Sequence, residues 1–199
     1  MGERGTTKAL GRPRSLRADR AILEATLDLF GDVGFEALTI EGVAELAGVG
    51  KTTIYRRWPS KEELVSAAVG TLSAGLTLPD TGSVREDLIG LVRQLVRVLT
   101  SGPAGRVLPR MASEIAAGSP VGKVYVRSVL GPRRELVARA IRRGMERGEL
   151  RPDLDVELAM DAVLGPLIVR RLLGGPRTAF PRDLPERLVD EALRGLAEP

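Results

Sequence analysis

The sequence contains no cysteine and no histidine in its 199 residues. Without cysteine there is no disulfide and no thiol nucleophile, which is compatible with a reducing compartment. Without histidine, Ser-His-Asp and Cys-His catalytic systems are excluded, and so are zinc sites that need either residue. Carboxylate pairs and Ser-Lys arrangements remain formally possible, but none has the spacing of a known catalytic motif. No GxGxxG phosphate loop occurs. We therefore expect no enzyme activity, no metal and no cofactor.

Aromatic residues make up only 3% of the chain, and long uncharged apolar runs are missing. The longest apolar segment, residues 156–173, contains two acidic and two basic side chains, which argues against a membrane span. The N-terminus is polar and basic, without the apolar core of a signal peptide. We expect a cytoplasmic protein that has no membrane partner.

Basic residues exceed acidic ones by a formal net charge of +4, and the sequence pI is about 9.9. An excess of this size suits a polyanionic partner but occurs in many other proteins, so its distribution is more informative. Against two acidic residues, positions 1–20 hold Arg4, Lys8, Arg12, Arg14, Arg17 and Arg20.

Residues 39–58 have the pattern of two short helices joined by a tight turn. Thr39 is suited to cap the first helix, with Glu41 in its first turn, where the helix dipole favours negative charge. Gly48 follows the last apolar residue of that helix, where glycine adopts a left-handed φ without strain. Ala44 is small enough for a second helix to cross closely, with Ile54 buried between the two. The pattern predicts a helix-turn-helix.

The opposite face of the second helix carries side chains able to bond phosphates or base edges, so we expect it to enter a DNA major groove. For the tyrosine in this set, a place in the core is a competing interpretation. An ordinary helical hairpin in an all-α core is the alternative for the whole motif. The candidate DNA-binding residues here are Thr39, Gly50, Lys51, Thr52, Thr53, Tyr55 and Arg56.

A capping box follows the motif. Ser60 and Glu63 are spaced to close the start of the next helix reciprocally. Lys61 then lies beside the exposed N–H groups of that helix start, which predicts a phosphate contact.

Residues 1–14 have no periodic apolar pattern, which is typical of a disordered arm. The arm contains the tetrapeptide Gly-Arg-Pro-Arg, in which Arg12 and Arg14 are candidates to enter a narrow A·T minor groove. A solvated tail without fixed contacts is the equal alternative.

The rest of the chain reads as helices separated by Gly and Pro breaks, with no strand-like alternation. A first amphipathic helix is predicted at about residues 18–32, and Gly34 ends it. Phe30, Phe35 and Trp58 would form the core of a three-helix DNA-binding domain over residues 15–75. The fold class is therefore all-α, with a second helical domain over residues 76–199.

The second domain contains more helices than dimerisation alone would need. The helices between residues 84 and 147 can enclose a pocket. With so few aromatic residues, such a pocket should favour aliphatic or moderately sized ligands. Each candidate wall residue is also a candidate for plain core. These candidates are Leu88, Leu95, Met111, Ile115, Val137 and Ile141.

Residues 156–173 form a helix that is apolar nearly all round, so it must be buried on more than one side. Asp155 is suited to cap it. Paired with the last helix, at about residues 185–196, it would supply half of a four-helix bundle between two chains. The alternative is a central helix of a monomer. The candidate interface residues are Val163, Leu167, Leu188, Ala192, Leu193 and Leu196.

Residues 18–69 resemble the DNA-binding domain of TetR-type bacterial transcriptional regulators. The phrase Gly-Glu-Leu-Arg-Pro-Asp at residues 148–153 is also common before the dimer helices of such proteins. Two positions depart from the family pattern, since Gly50 replaces a usual serine cap and Trp58 a usual Phe. The matching segments are Ile22-Leu23-Glu24-Ala25, Leu29-Phe30, Gly34-Phe35, Leu38-Thr39, Val43-Ala44, Ala47-Gly48-Val49, Thr53-Ile54-Tyr55 and Lys61-Glu62-Glu63-Leu64.

The resemblance implies a homodimer whose C-terminal domain often holds a small-molecule pocket. It also implies that Thr39, Tyr55 and Lys61 contact phosphates. In the same family, the residues that correspond to Lys51, Thr52 and Thr53 lie near the bases.

We therefore expect a transcriptional regulator, and specifically a repressor, that binds a palindromic operator in double-stranded DNA as a homodimer. A small-molecule effector would release it by changing the spacing of the two recognition helices. One alternative is a DNA-binding regulator without small-molecule control. Another is an enzyme with an accessory helix-turn-helix domain, which the missing histidine and cysteine disfavour.

Overall fold

The computed structural model describes residues 12–73, 75–175 and 178–195, apart from the side chains of residues 12–15, 73 and 101. The regular elements in these ranges are helical, as the sequence predicts. The N-terminal helices are α1 (Arg12–Ala37), α2 (Ile40–Ala47), α3 (Lys51–Tyr55) and α4 (Lys61–Gly70). The C-terminal helices are α5 (Val84–Ser101), α6 (Ala104–Ala116), α7 (Pro120–Tyr125), α8 (Gly131–Glu146), α9 (Val156–Gly174) and α10 (Leu184–Arg194).

Helix α1 begins at Arg12, earlier than the predicted start near residue 18, so the boundary placed at residue 14 lies inside the helix. Pro13 is compatible with a first turn because its φ is already helical and the first-turn N–H groups need no helical acceptor. Near the other end, Gly34 interrupts the helix with φ 80° and ψ 179°. Residues 1–11 lie outside the described residues, and the prediction of a disordered arm there stays a prediction.

The N-terminal helices bury apolar side chains between them. Ile22 and Phe30 of α1, Val43 of α2, Ile54 of α3 and Leu64 of α4 are all completely buried. Phe35 and Trp58 pack against this core while remaining partly exposed. The three predicted aromatic core residues therefore all contribute to it, with Phe30 at the centre.

Two helix pairs join the N-terminal helices to the C-terminal ones. Helix α1 packs on α6, and α4 packs on α7. Behind this junction, α5 packs against α8 and α10, and α8 packs against α9. A single cluster of buried apolar residues extends through both parts of the chain.

Several helix boundaries follow from local signals. The Asp155 carboxylate accepts hydrogen bonds from the N–H groups of Glu157 (2.9 Å) and Leu158 (3.2 Å), which confirms it as the cap of α9. Helix α9 runs through Pro166 without a break. Helix α7 is followed by a π-helical turn, Val126–Leu130, which leads directly into α8. A 3-10 turn, Thr71–Ser73, follows α4.

Within the described residues, no helix combines the length and the apolar character that crossing a bilayer requires.

Candidate nucleic-acid interface

The predicted helix-turn-helix is formed by α2 and α3. The Thr39 hydroxyl accepts a hydrogen bond from the Gly42 N–H at 3.1 Å, which caps α2. Gly48 ends α2 in the left-handed region, with φ 66° and ψ 36°, and the Val49 N–H returns to the Ala44 carbonyl at 3.0 Å. The chain thus reverses within a few residues and directs α3 across α2.

Helix α3 presents one side to the core and the other to solvent. Ile54 is fully buried, as predicted, while Lys51, Thr52 and Arg56 are exposed and Thr53 is half-buried. Tyr55 is 49% exposed, which argues against a core role for it. Gly50 caps α3 in an extended conformation without a side chain. The polar side of α3 is therefore accessible to a ligand as large as DNA.

Lys51 has a partner within the motif. Its Nζ lies 2.9 Å from Oε1 of Glu41 in α2, and both side chains are more than half exposed. This hydrogen bond lowers the pKa of Glu41 and raises that of Lys51, so both groups are charged at neutral pH. A phosphate approaching Lys51 would compete with the Glu41 carboxylate.

Lys61 has a structural role that the sequence did not predict. Its ammonium donates to the carbonyl oxygens of Phe35 (3.0 Å) and Glu36 (3.3 Å) and lies 4.5 Å from the Phe35 ring centroid. An ammonium has three donors, so one remains for the predicted phosphate contact. The Ser60 hydroxyl accepts from the Glu63 N–H at 3.1 Å, as the capping box requires. Lys61 therefore joins the start of α4 to the end of α1.

Arg57 has a structural role that the sequence did not predict. Its Nε lies 2.6 Å from Oδ1 of Asp19 in α1, with both side chains largely buried. This ion pair holds the end of α3 against α1, whereas the neighbouring Arg56 faces solvent. The sequence shows two adjacent arginines without distinguishing them.

Arg12 and Arg14 belong to the first turn of α1 by their backbone. Their side chains lie outside the described part of the chain, so their minor-groove contacts stay a prediction.

An apolar cavity of about 330 Å³ lies among α5, α6, α7, α8 and α9. Of the predicted wall residues, Leu95 and Ile115 line it. The other four predicted residues are buried in the core and do not line this cavity, so a ligand contact for them stays a prediction. They are Leu88, Met111, Val137 and Ile141.

The cavity wall includes four polar or charged side chains that the sequence analysis did not single out. They are Tyr125, Arg133, Arg134 and Asp161. The apolar lining is Leu95, Leu99, Leu108, Ala112, Ile115, Leu130, Leu164, Leu167, Ile168 and Leu172.

Helices α9 and α10 carry the residues predicted for the dimer interface. Val163, Leu167 and Leu188 are buried within the single chain, and their place in a dimer contact stays a prediction. Their side of each helix meets the subunit's own core. Ala192 and Leu193 are half-buried, and Leu196 lies outside the described residues.

A different face of α9 is apolar and exposed. Leu158, Val169 and Leu173 are 68%, 52% and 86% exposed. Ala162 and Pro166 lie between them at helical spacing and also line an open groove of about 500 Å³ between α9 and α10. This surface, which we call the α9 stripe, consists of Leu158, Ala162, Pro166, Val169 and Leu173.

Comparison with known proteins agrees with this architecture. The family model described as "Bacterial regulatory proteins, tetR family" matches residues 22–68. The model described as "Tetracyclin repressor-like, C-terminal domain" matches residues 78–192.

Individual relatives align over most of their length. The HTH-type transcriptional regulator YdeS of Bacillus subtilis is 34% identical over 177 residues, covering 87% of this chain and 89% of YdeS. A DNA-binding transcriptional repressor TetR of Mycobacteroides abscessus is 32% identical over 182 residues, covering 90% of this chain and 93% of that protein.

The crystal structure of the TetR family transcription regulator SCO0332 is similar, with a TM-score of 0.62 and 32% sequence identity. The alignment covers 92% of this chain and 100% of SCO0332. Two family models that match segments of both helical domains, relatives that align over most of their length and a shared fold identify the molecule: this chain belongs to the TetR family of bacterial transcriptional regulators.

Proposed function

We propose that this regulator is a homodimeric repressor that binds a palindromic operator through α3 and is released by a small-molecule effector. The observation that supports DNA binding most directly is the two-sided α3, with Ile54 fully buried and Lys51, Tyr55 and Arg56 exposed. Because its buried side packs against the core, α3 presents its polar side in a fixed orientation, as major-groove recognition requires. Repression is supported by the relative from Mycobacteroides abscessus, which is described as a repressor.

The α9 stripe supports dimerisation. Exposed apolar side chains repeat along one face of α9 beside the groove against α10. Contiguous exposed apolar surfaces of this kind are typical of protein interfaces. A two-fold pair of chains joined there would place two copies of α3 on one DNA duplex, with half-sites about 34–36 Å apart.

Effector binding is supported by the cavity among α5 to α9. Its volume of about 330 Å³ falls in the lower part of the range of about 300–1,000 Å³ that is common for small-molecule sites. We assign no catalytic role to the residues that line it.

The test is selection of operator sequences from random double-stranded DNA, followed by footprinting. We expect a two-fold symmetric footprint. Arg56→Gln should weaken binding and reduce the slope of log K against log salt by about one, because one phosphate or base-edge cation is lost. Arg127→Gln, which changes an exposed arginine between α7 and α8, is the matched control and should leave the slope unchanged. An asymmetric footprint, or equal slopes for the two variants, would contradict the proposal.

A further inference from the structure

Arg133, in the first turn of α8, is buried without an acidic partner among the described residues. Its side chain lines the cavity and the residue is only 8% exposed. Nη2 donates to the main-chain carbonyl of Leu72 at 2.7 Å, while Nε is buried without a hydrogen-bond partner. Among the ion pairs of the described residues, none involves Arg133.

A buried guanidinium without a carboxylate is unusual, because removing a charge from water is costly unless the charge is paired. Burial accordingly lowers the pKa of Arg133, although an arginine stays protonated at any physiological pH. The neighbouring Arg134 shows the ordinary arrangement, with Asp161 at 2.7 Å and Glu157 at 2.6 Å. Arg133 is therefore the unneutralised positive charge of the cavity wall.

Tyr125 adds a second polar group beside it. The residue is 1% exposed and lines the same cavity, and no hydrogen bond of its hydroxyl is found among the described residues. Burial raises the pKa of Tyr125, although the positive charge of Arg133 acts in the opposite direction. The phenol is therefore protonated at neutral pH and provides a donor.

We propose that the effector is an organic monocarboxylate with an aliphatic body, whose carboxylate pairs with Arg133 while its chain fills the apolar part of the cavity. This inference rests on the proposed effector control and names the chemical class. A carboxylate matches the donors of a guanidinium and would neutralise its charge. Apart from the ion-paired Arg134 and Asp161, the remaining lining consists of leucine, isoleucine, alanine and glycine residues from α5, α6, α9 and the turn before α8, which suit an alkyl chain.

The same arginine connects the cavity to the DNA-binding domain. Leu72, whose carbonyl accepts from Arg133, lies in the 3-10 turn directly after α4, and α4 leads back to the helix-turn-helix. A carboxylate that pairs side-on with the unpartnered Nε and with Nη2 would compete with this carbonyl for Nη2. Ligand binding therefore weakens one contact that holds the end of α4, and this is how the carboxylate would favour the conformation with lower DNA affinity.

The experiment measures binding to the full-length protein by calorimetry, with hexanoate, octanoate, decanoate and dodecanoate as probes. The methyl ester of each acid is the neutral control, of nearly the same shape. Arg133→Met removes the charge, Arg133→Lys retains it, and Arg139→Met changes an exposed arginine of the same helix. Circular dichroism and thermal melts establish that each variant is folded.

We expect at least one carboxylate to bind the unmodified protein at least tenfold more tightly than its ester. Arg133→Met should remove that preference, because a charge-assisted pair is lost, whereas Arg139→Met should keep it. The bound carboxylate should also weaken binding to the selected operator duplex, and this effect should disappear in Arg133→Met. If Arg133→Met does not fold, the comparison of acid with ester in the unmodified protein decides the matter.

Equal affinities for acids and esters, or a preference that survives in Arg133→Met, would overturn the inference. Release of the operator by a neutral compound in that case would leave effector control intact and show the assigned ligand class to be wrong. Failure to select any operator would instead refute the proposed function itself.

Discussion

Nη2 of Arg110 in α6 donates a hydrogen bond across 2.8 Å to the carbonyl oxygen of Asp32 in α1. Arg106, one turn earlier, forms ion pairs with Asp28 and Asp32 of the same helix. The two helices can approach because residue 31 is glycine, since a Cβ there would lie 3.0 Å from the Cβ of Arg106. The DNA-binding domain is thus joined to the C-terminal domain along α1 and α6.

Enlarging Gly31 should separate these helices. We expect Gly31→Leu to lower the free energy of unfolding by about 1–3 kcal/mol, as overpacking typically does. Gly70→Ala is the control, because no atom of the described residues outside its own stretch of helix lies within 4 Å of its Cβ position. Helix propensity alone should leave its stability unchanged or raise it by up to about 1 kcal/mol. Urea denaturation measures the stability of both variants. If Gly31→Leu were as stable as the unmodified protein, the contact between α1 and α6 would have adapted to the larger side chain.

Asp87 of α5 is the most buried carboxylate of the described residues, at 0% exposure. It accepts from Thr81 N–H (2.8 Å), the Thr81 hydroxyl (2.9 Å) and Nη2 of Arg143 (2.8 Å). Asp87→Ala should cost about 3 kcal/mol or more, because the arginine and the loop donors lose their shared acceptor. Asp80→Ala should cost about 1 kcal/mol or less, since that side chain is 65% exposed although it pairs with the same arginine. Similar losses for the two variants would contradict this assignment.

The stability of the α5–α10 contact should depend on pH. Arg85 donates to both carboxylate oxygens of Asp190, at 2.7 and 3.1 Å, and this interaction lowers the pKa of Asp190. The stabilisation is complete above the unfolded-state pKa of about 4 and disappears as the pH falls through the lower folded-state value. The melting temperature of Asp190→Asn should therefore lie below that of the unmodified protein at neutral pH and converge with it in acid.

Exposed Asp153, for which no ion pair is found within the described residues, provides the control for this titration. Asp153→Asn should follow the unmodified protein at every pH. A difference between the unmodified protein and Asp190→Asn that stayed constant down to about pH 2 would show that the ion pair does not titrate as expected.

The α9 stripe should determine the oligomeric state. Val169→Arg and Leu173→Arg should give folded monomers, because each would place an unpaired charge in a buried apolar interface. Val126→Arg changes an exposed apolar residue away from α9 and should remain dimeric. Leu167→Arg should instead impair folding, since Leu167 is 1% exposed within one subunit. Dimers of Leu173→Arg in sedimentation equilibrium would place the interface elsewhere.

Local sequence signals were sufficient for the helix-turn-helix. Thr39 and Gly48 act on atoms a few residues away, and Ile54 follows from the apolar spacing of α3, so each role could be predicted without the rest of the fold. For Lys61, local signals were not sufficient. Its helix-start position was visible, but its carbonyl partners lie 25 and 26 residues earlier in the chain, and only folding brings them to it.

The sequence by itself determined the all-α class, the family, the site of the DNA-binding motif and the exclusion of histidine- or cysteine-dependent chemistry, because residue identity and local spacing encode these. Only the tertiary structure decided which side of α9 faces inward, since a helix that is apolar nearly all round has no periodic pattern to orient it. It also decided that Arg133 is buried beside the cavity with no acidic partner in the described part of the chain, while Arg134 is paired. The two adjacent arginines differ only in their long-range neighbours, and those depend on how α8 packs against α9 and the end of α4.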